Sequence, residues 1–401
     1  AHSGMGGTAN TTAETVEAGN GYWIDTTSTT CTITLPSAAE KGDQIVLIDY
    51  ARTWGTNAIT IDSNGLNYQG QADTYTVEYT TSGQSINIVY SDATKGWIPL
   101  EDDVTAFEPV EPPTQRGIFA YGATASGSGN LSMSNLVNSS GVIATDVTGV
   151  GSARRHLAAA AYGGDKAIFA YGDVSGAVSM SNLVSNSGVV GSDVTGVGTA
   201  RYQLAAANYG TDKALFAFGY PPYTNARNLV NSSGVIATDA SGAGSARRYL
   251  AATGYGEDKA IFGYGYDSPT GAVSMSNLVS NTGVVGSDVT GVGSARYILA
   301  AARYGGDKAL FAFGQGPATN VKNLVSNSGV ISADVTGVGT ARYGLAATNY
   351  GGDKAVFAYG DTGSVTNIKN LVNNSGTVAA DVTGVGTSRA YLAAAGYSTS
   401  A

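Results

Sequence analysis

The sequence predicts an all-β chain: an antiparallel β-sandwich or jelly-roll-like domain, then a six-bladed β-propeller closed by its C-terminal strand. Three observations predict it. Apolar runs are short and bounded by turn residues in a chain with 56 Gly and 24 Tyr among 401 residues, the texture of strands and tight turns rather than long helices. The first hundred residues alternate apolar and polar with period two, as half-buried strands do. From residue 117 onward one pattern returns six times at spacings of 46 to 49 residues, a length that suits four strands and their turns.

Composition narrows the function classes. With 43% hydrophobic and 13% charged residues, the chain has enough to bury for a folded state. No stretch approaches the roughly 18 apolar residues of a membrane span, and the first ten residues lack a basic segment followed by an apolar one. Neither membrane insertion nor a Sec-type leader is therefore expected. Two histidines (His2, His156) and one cysteine (Cys31) leave no intrachain disulfide and no Cys/His metal cluster; no cofactor is expected. The net charge of -9 is uneven. Residues 1–111 carry 3 Lys/Arg against 15 Asp/Glu, and the remainder carries 18 against 15. An acidic front and a dispersed basic excess are a poor nucleic-acid surface, so no nucleic-acid partner is expected.

Taken in order, residues 1–13 are Gly, Ala, Thr and Ser with little to bury, and are expected to be an extended arm, disordered in an isolated monomer. Residues 14–100 form the sandwich. Within it, Cys31-Thr32-Ile33-Thr34-Leu35, Ile59-Thr60-Ile61-Asp62 and Tyr75-Thr76-Val77-Glu78-Tyr79 alternate, while residues 44–50 and 86–90 suit central strands. Cys31 reads as a small core side chain, and Trp23, Trp54 and Trp97 as core or rim. Residues 101–115, with three prolines and five acids, read as an extended, solvated linker.

Residues 116–401 hold the repeat. A hexamer such as Gly117-Ile118-Phe119-Ala120-Tyr121-Gly122 recurs from Ala167, Ala214, Ala260, Ala309 and Ala355. Asn-Leu-Val begins at Asn135, Asn182, Asn228, Asn277, Asn323 and Asn370. An Asp-Val-Thr-Gly-Val-Gly-like element begins at Asp146, Asp193, Asp239, Asp288, Asp334 and Asp381. One unit parses as a small-residue strand 204–207, a turn 209–213, strands 214–219 and 227–230, and a fourth strand 235–239. The Ala-Ala pairs suit the innermost, most crowded strand. The first unit has no Leu-Ala-Ala-Ala strand before Gly117, whereas Leu392-Ala393-Ala394-Ala395 has no hexamer after it. Pairing those two would close a ring and remove a sheet edge.

The order of small-apolar strand, Tyr-Gly-x-Asp-Lys turn, (Ile/Leu)-Phe-Ala-Tyr-Gly strand and Asn-Leu-Val strand resembles a Kelch-type repeat over residues 117–401. It departs from that pattern in having Tyr-Gly or Phe-Gly where Kelch units usually carry Gly-Gly, and in lacking their late Trp. The wording of the repeats is also similar to tandem repeats in virion proteins of marine tailed bacteriophages, cyanophages especially. Gly21-Tyr22-Trp23-Ile24-Asp25-Thr26, Thr34-Leu35-Pro36 and Gly96-Trp97 look like the small β-domain common in such proteins. This resemblance implies a non-enzymatic structural virion protein on the particle exterior, a tail or capsid fibre. Its arm and sandwich would attach it to other virion proteins or sister copies, with a trimer as the family-like guess, and its propeller would contact a host-surface glycan or protein. The alternatives are a capsid decoration protein without receptor role, a propeller-type glycan-degrading enzyme, and a bacterial surface adhesin.

Comparison of the units locates the candidate surface. The loop after each hexamer varies (residues 123–130, 173–177, 220–225, 266–272, 315–320 and 361–366), and so do the two positions after each repeated Arg. The Gly-x-Asp-Lys and Asn-x-x-Gly turns hardly change. Both variable segments are expected on one face, with Arg155, His156, Tyr202, Tyr220, Tyr223, Arg248, Tyr249, Tyr266, Tyr297, Tyr343 and Tyr391 as its ligand-binding side chains; unconstrained loop drift is the alternative. The repeated Arg (Arg154, Arg201, Arg247, Arg296, Arg342, Arg389) reads as a partner of the repeated Asp or of backbone carbonyls. The Asp element reads as an Asx turn rather than a calcium loop, since it lacks spaced carboxylates. His156 reads as a surface side chain, and no catalytic residue is assigned.

Overall fold

The computed structural model describes residues 4–9, 12–100, 115–125 and 128–400; these are built of β-strands and turns, with no helix among them. They fall into two compact units divided after Pro112. The expected linker lies outside the described residues except for Gln115, which already belongs to a strand.

In the first unit the strands are β1 (Gly4–Ala9), β2 (Ala13–Thr15), β3 (Asn20–Ile24), β4 (Cys31–Thr34), β5 (Gln44–Asp49), β6 (Ile59–Asp62), β7 (Val77–Tyr79), β8 (Ser85–Tyr90) and β9 (Trp97–Pro99). They form two sheets, ordered β1-β3-β5-β8-β9 and β2-β4-β6-β7. The expectation of antiparallel pairing fails for the first half. β1/β3, β3/β5, β2/β4 and β4/β6 are all parallel, and only later pairs are antiparallel. The reason is connectivity: successive strands alternate between the sheets, so each returns to its own sheet after two reversals and runs in the original direction. The arm also departs from expectation. Gly4–Ala9 is a strand on β3 rather than disordered, because main-chain bonding to an open sheet edge needs no side chain to bury.

Alternation fixes which side chains turn inward. Cys31 and Ile33, Ile45 and Leu47, Ile59 and Ile61, Ile86 and Ile88 join Trp54 and Trp97 in one core drawn from both sheets. Cys31 is a buried thiol in that core, outside any disulfide. Trp23 instead sits partly exposed, edge-on to Tyr50 at 6.2 Å.

Among its described residues the second unit holds six like three-stranded antiparallel sheets, beside a minor three-stranded one (Arg247–Arg248, Tyr266–Asp267 and Gly271–Ala272) and a two-stranded pair (Ala123–Ala125 and Ser128–Asn130). β10 (Gln115–Ala120) lies between Ser134–Val137 and the strand Ala393–Ser398, with Ile118 opposite Ala395. The other five of the six like sheets are local in sequence, each with an alanine-rich inner strand: Ala158–Tyr162, Ala205–Tyr209, Ala251–Tyr255, Ala300–Tyr304 or Ala346–Tyr350. The expected fourth strand is reduced to isolated bridges, such as Val230 with Ile236 and Arg227 with Ala240. A side chain breaks the ladder there. The Asn228 amide donates to the Ala237 carbonyl (2.9 Å) and to Asp239 Oδ1 (2.8 Å), taking an acceptor a neighbouring backbone would use.

Each inner strand packs on the next, and Ala393–Ser398 packs on both Ala346–Tyr350 and Ala158–Tyr162. Two rings of inter-unit backbone hydrogen bonds follow from this order. At the start of the inner strands, Gln203 N–H donates to His156 O, Tyr249 to Gln203, Ile298 to Tyr249, Gly344 to Ile298, Tyr391 to Gly344, and His156 to Tyr391, all within 2.7–3.1 Å. All six residues have positive φ, between 53° and 62°. At the other end, Gly163, Gly210, Gly256 and Gly305 donate to the carbonyls of Asp212, Asp258, Asp307 and Asp353. Gly351 donates to Gln115, and Ser398 to Asp165.

The repeated Arg is wholly enclosed. Arg154 donates from Nε to Tyr171 O (2.9 Å) and from Nη2 to Asn182 Oδ1 (2.6 Å), stacks over the Tyr121 ring of the preceding sheet (4.2 Å), and lies 3.9 Å from Asp193. Asp193 in turn accepts from the Ser152 amide (2.9 Å) and hydroxyl (2.7 Å) and from Asn182 (2.9 Å). Arg389, Asn135, Thr387 and Asp146 repeat the Asn, Ser/Thr and ring contacts of this arrangement, without the Nε bond, between residues more than two hundred positions apart. The aromatic residue under the Arg has positive φ (Tyr121, 65°), as does the Gly after it (Gly122, 98°). This is the backbone a Gly-Gly pair would suit.

Candidate functional site

The two variable segments of each unit are hydrogen-bonded to each other. Arg155 pairs with Asp173, Tyr202 with Tyr220, Tyr297 with Gln315 and Tyr343 with Asp361 as isolated bridges, and Arg248 with Tyr266 within a short ladder. All lie beside the ring of positive-φ residues, at the start of the inner strands, so the variable positions share one end of the second unit. The near-invariant Gly-x-Asp-Lys turns lie at the other end, where the second ring of hydrogen bonds runs. The left-handed backbone at His156, Gln203 and Tyr249 belongs to this sharp entry into the inner strand. It turns each side chain at that position toward its equivalents across the ring.

The outcome is a continuous run of rings. His156 lies 4.4 Å from Tyr391, 5.6 Å from Tyr249 and 6.2 Å from Tyr202. Tyr202 continues to Tyr220 (5.7 Å) and Tyr223 (5.3 Å from Tyr220), and Tyr249 to Tyr297 (6.0 Å) and Tyr266 (5.3 Å from Tyr297). Arg248 sits among four of them, its guanidinium carbon 4.8, 5.1, 5.2 and 5.6 Å from the Tyr220, Tyr223, Tyr249 and Tyr266 rings. Arg155 forms an ion pair with Asp173 at 3.1 Å. The two, with Asn130 and Tyr202, line a hollow of about 560 Å³. Ten of the eleven candidate side chains are thus neighbours. Tyr343 makes no ring contact among the described residues and is linked to the others through the field of Tyr297.

Burial keeps His156, Tyr202, Tyr249 and Tyr343 neutral. Burial, then the nearby Arg155, drives His156 down to about 3, with Asp173 opposing and Arg248 adding to the effect. His156 is therefore an uncharged imidazole at any physiological pH. Burial pushes Tyr249 up to about 12 against the opposing field of Arg248. Tyr202 and Tyr343 are raised by burial and then by Asp173 and Asp361 respectively. The Tyr202, Tyr249 and Tyr343 phenols therefore keep their protons and serve as donors and acceptors.

Residue comparison missed Gln203, whose amide donates to the Tyr249 hydroxyl and whose Oε1 is buried without a partner among the described residues. It also missed Asp173 and Asn130, which hold Arg155 and the hollow's wall. Gln203 stood in a varying pair, but nothing local marked it as axial. The arrangement offers apolar ring faces edged by hydroxyls, one paired cation and one caged cation, the chemistry of a recognition surface. Among the described residues no group of three His, Cys, Asp or Glu side chains could hold a metal ion, and no helix is long and apolar enough to cross a membrane. No protein-family model matches the chain, and no curated protein matches it.

Proposed function

We propose that residues 115–400 are a six-bladed, Kelch-like propeller closed by Ala393–Ser398, carried by a non-enzymatic structural virion protein of a tailed phage, and that its variable face binds a host-surface ligand. The propeller reading is supported by six like sheets, the cyclic neighbour order of their inner strands and the pairing of β10 with Ala393–Ser398. The core shared by the two sheets of the first unit supports a sandwich there. Its role in attachment, and the virion setting, rest on the resemblance of the repeats and of the front domain.

One observation carries the binding role. Positions that differ from unit to unit converge as a contiguous Tyr/His/Arg surface, while the framework positions barely change. Drifting loops have no reason to accumulate eight aromatic rings in mutual contact, whereas a ligand surface does, because rings supply large contact area at low conformational cost. The test is binding of labelled full-length protein to candidate host cells, beside a variant carrying Tyr202→Ala, Tyr220→Ala and Tyr297→Ala. Loss of cell binding at unchanged melting temperature supports the reading, and undiminished binding refutes it. A reconstruction of the particle tests the virion assignment.

A further inference from the structure

Arg248 is the unusual cation of this face. Arg155 is neutralised by Asp173, and the six repeated arginines are committed to carbonyls and Asn side chains. The Arg248 side chain has no ion-pair or hydrogen-bond partner among the described residues, and its Nε is buried without an acceptor. Its four tyrosine neighbours supply π faces, which stabilise the charge but accept none of the five N–H donors a guanidinium directs outward in its plane. A planar fork with unused donors, walled by rings, matches one ligand chemistry: a carboxylate attached to a sugar ring. The carboxylate takes the fork as a two-point, charge-assisted pair, and the pyranose lays its apolar C–H face on the flanking tyrosines. The surface continues from Tyr220 through Tyr202 into the hollow edged by Asn130, Arg155 and Asp173, where Asn130 Oδ1 also lacks a partner among the described residues. A further sugar of the same chain would lie there.

We infer that the Arg248 tyrosine cage binds a uronate-type residue of an acidic polysaccharide, with Arg248 pairing its carboxylate and Tyr220 and Tyr266 flanking its ring. This rests on the binding role proposed above and names the ligand class for that face. The test is calorimetric titration of the full-length chain with polygalacturonate and alginate oligomers, their carboxyl-reduced counterparts, and dextran sulfate.

At least one uronate oligomer should bind, and its reduced form should bind about tenfold or more weakly, the range expected for a charge-assisted pair. Arg248→Gln should abolish that difference. Its melting temperature should fall by only a few degrees, because the contacts with the rings are weakened while no hydrogen bond of the fold is lost. Arg248→Lys, which keeps the charge without the fork, should be intermediate, and it carries the test if the Gln variant does not fold. Failure of every uronate to bind, equal binding of acid and reduced forms, or indifference to Arg248 overturns the inference. Arg248-dependent binding of dextran sulfate alone reassigns the anion to a sulfate ester and overturns the carboxylate. Cell binding that survives Arg248→Gln but not the tyrosine substitutions leaves the face as a binding surface and removes only the anion from it.

Discussion

If the second unit is a closed ring, Asp146 and Asp193 do identical work, although their partners lie at very different distances along the chain. Asp146 accepts from the Thr387 amide (3.0 Å), the Thr387 hydroxyl (2.7 Å) and Asn135 (2.9 Å), beside the enclosed Arg389. Asp193 accepts from Ser152 and Asn182 with the same geometry, beside Arg154. Replacing either by Ala deletes three hydrogen bonds to a charged acceptor. Each is worth about 1.5–3 kcal/mol when fully buried. The Asp193 side chain is close to a third exposed and Asp146 is likewise exposed, so water replaces part of what is lost. A net cost of about 2–4 kcal/mol is expected for each, a fall of roughly 5–15 °C in melting temperature. Thermal and urea unfolding of Asp146→Ala and Asp193→Ala, measured side by side, should give equal shifts. An open array predicts otherwise, since residues 146 and 387 would then not meet. Near-wild-type stability of Asp146→Ala, with Asp193→Ala destabilised, refutes ring closure.

Gly188→Ala should destabilise by more than Gly164→Ala. Both sites have φ near 80°, which costs an L-residue about 1–2 kcal/mol, but a Cβ at Gly188 would come within 2.9 Å of Leu136 and the Tyr397 hydroxyl, whereas Gly164 has open space; equal urea midpoints would contradict the packing of Tyr397 on that turn. Acid should unfold the second unit steeply. Burial raises the six repeated aspartates, but hydrogen bonds from Ser/Thr and Asn and the neighbouring Arg overcome it and hold them below the usual carboxylate value. Their stabilisation is full above the unfolded value near 4 and is lost as pH falls through the folded one; far-UV circular dichroism against pH reads this, and a transition centred above pH 5 would contradict it. His156 adds a shallower slope in the same direction. Its folded pKa of about 3 lies below the unfolded value near 6.5, so the unfolded chain takes up a proton first and stability falls between those limits. Urea midpoints of wild type should drop from pH 7.5 to pH 5 by more than those of His156→Phe, and parallel slopes would refute the neutral assignment. Gln203→Leu should leave the fold stable and alter binding at the axial rim, because it removes the donor to the Tyr249 hydroxyl; cell binding identical to wild type would refute a role for Gln203.

Much of this was readable one residue at a time. Alternation in residues 31–35 and 59–62 gave the inward faces of β4 and β6 and put Cys31 in the core. The recurrence of Arg near a repeated Asp pointed to a structural pair, as Arg154 and Asp193 turned out to be. The convergence of variable positions was legible because the two loops of one unit alternate with two invariant turns. Strand direction in the first unit was not legible. Whether residues 31–34 pair with their sequence neighbours or skip to the other sheet depends on connection paths that period-two patterning does not encode. The fourth strand failed because Asn228 outcompetes the backbone for a carbonyl, a contact invisible until the two segments are adjacent. Arg155 and Arg248 follow equivalent repeated arginines and look alike in sequence, yet one is neutralised and the other caged.

What the sequence by itself determined is therefore periodic and local: an all-β chain, six units, their turn chemistry, and which positions vary. Such properties depend on side chains a few residues apart, whose relative placement the backbone geometry sets directly. Only the tertiary structure decided which distant residues meet, including Thr387 with Asp146, His156 with Tyr391, and four tyrosines around Arg248. Those meetings depend on the rotation from each unit to the next, and that angle is settled by the packing of whole sheets rather than by any one residue.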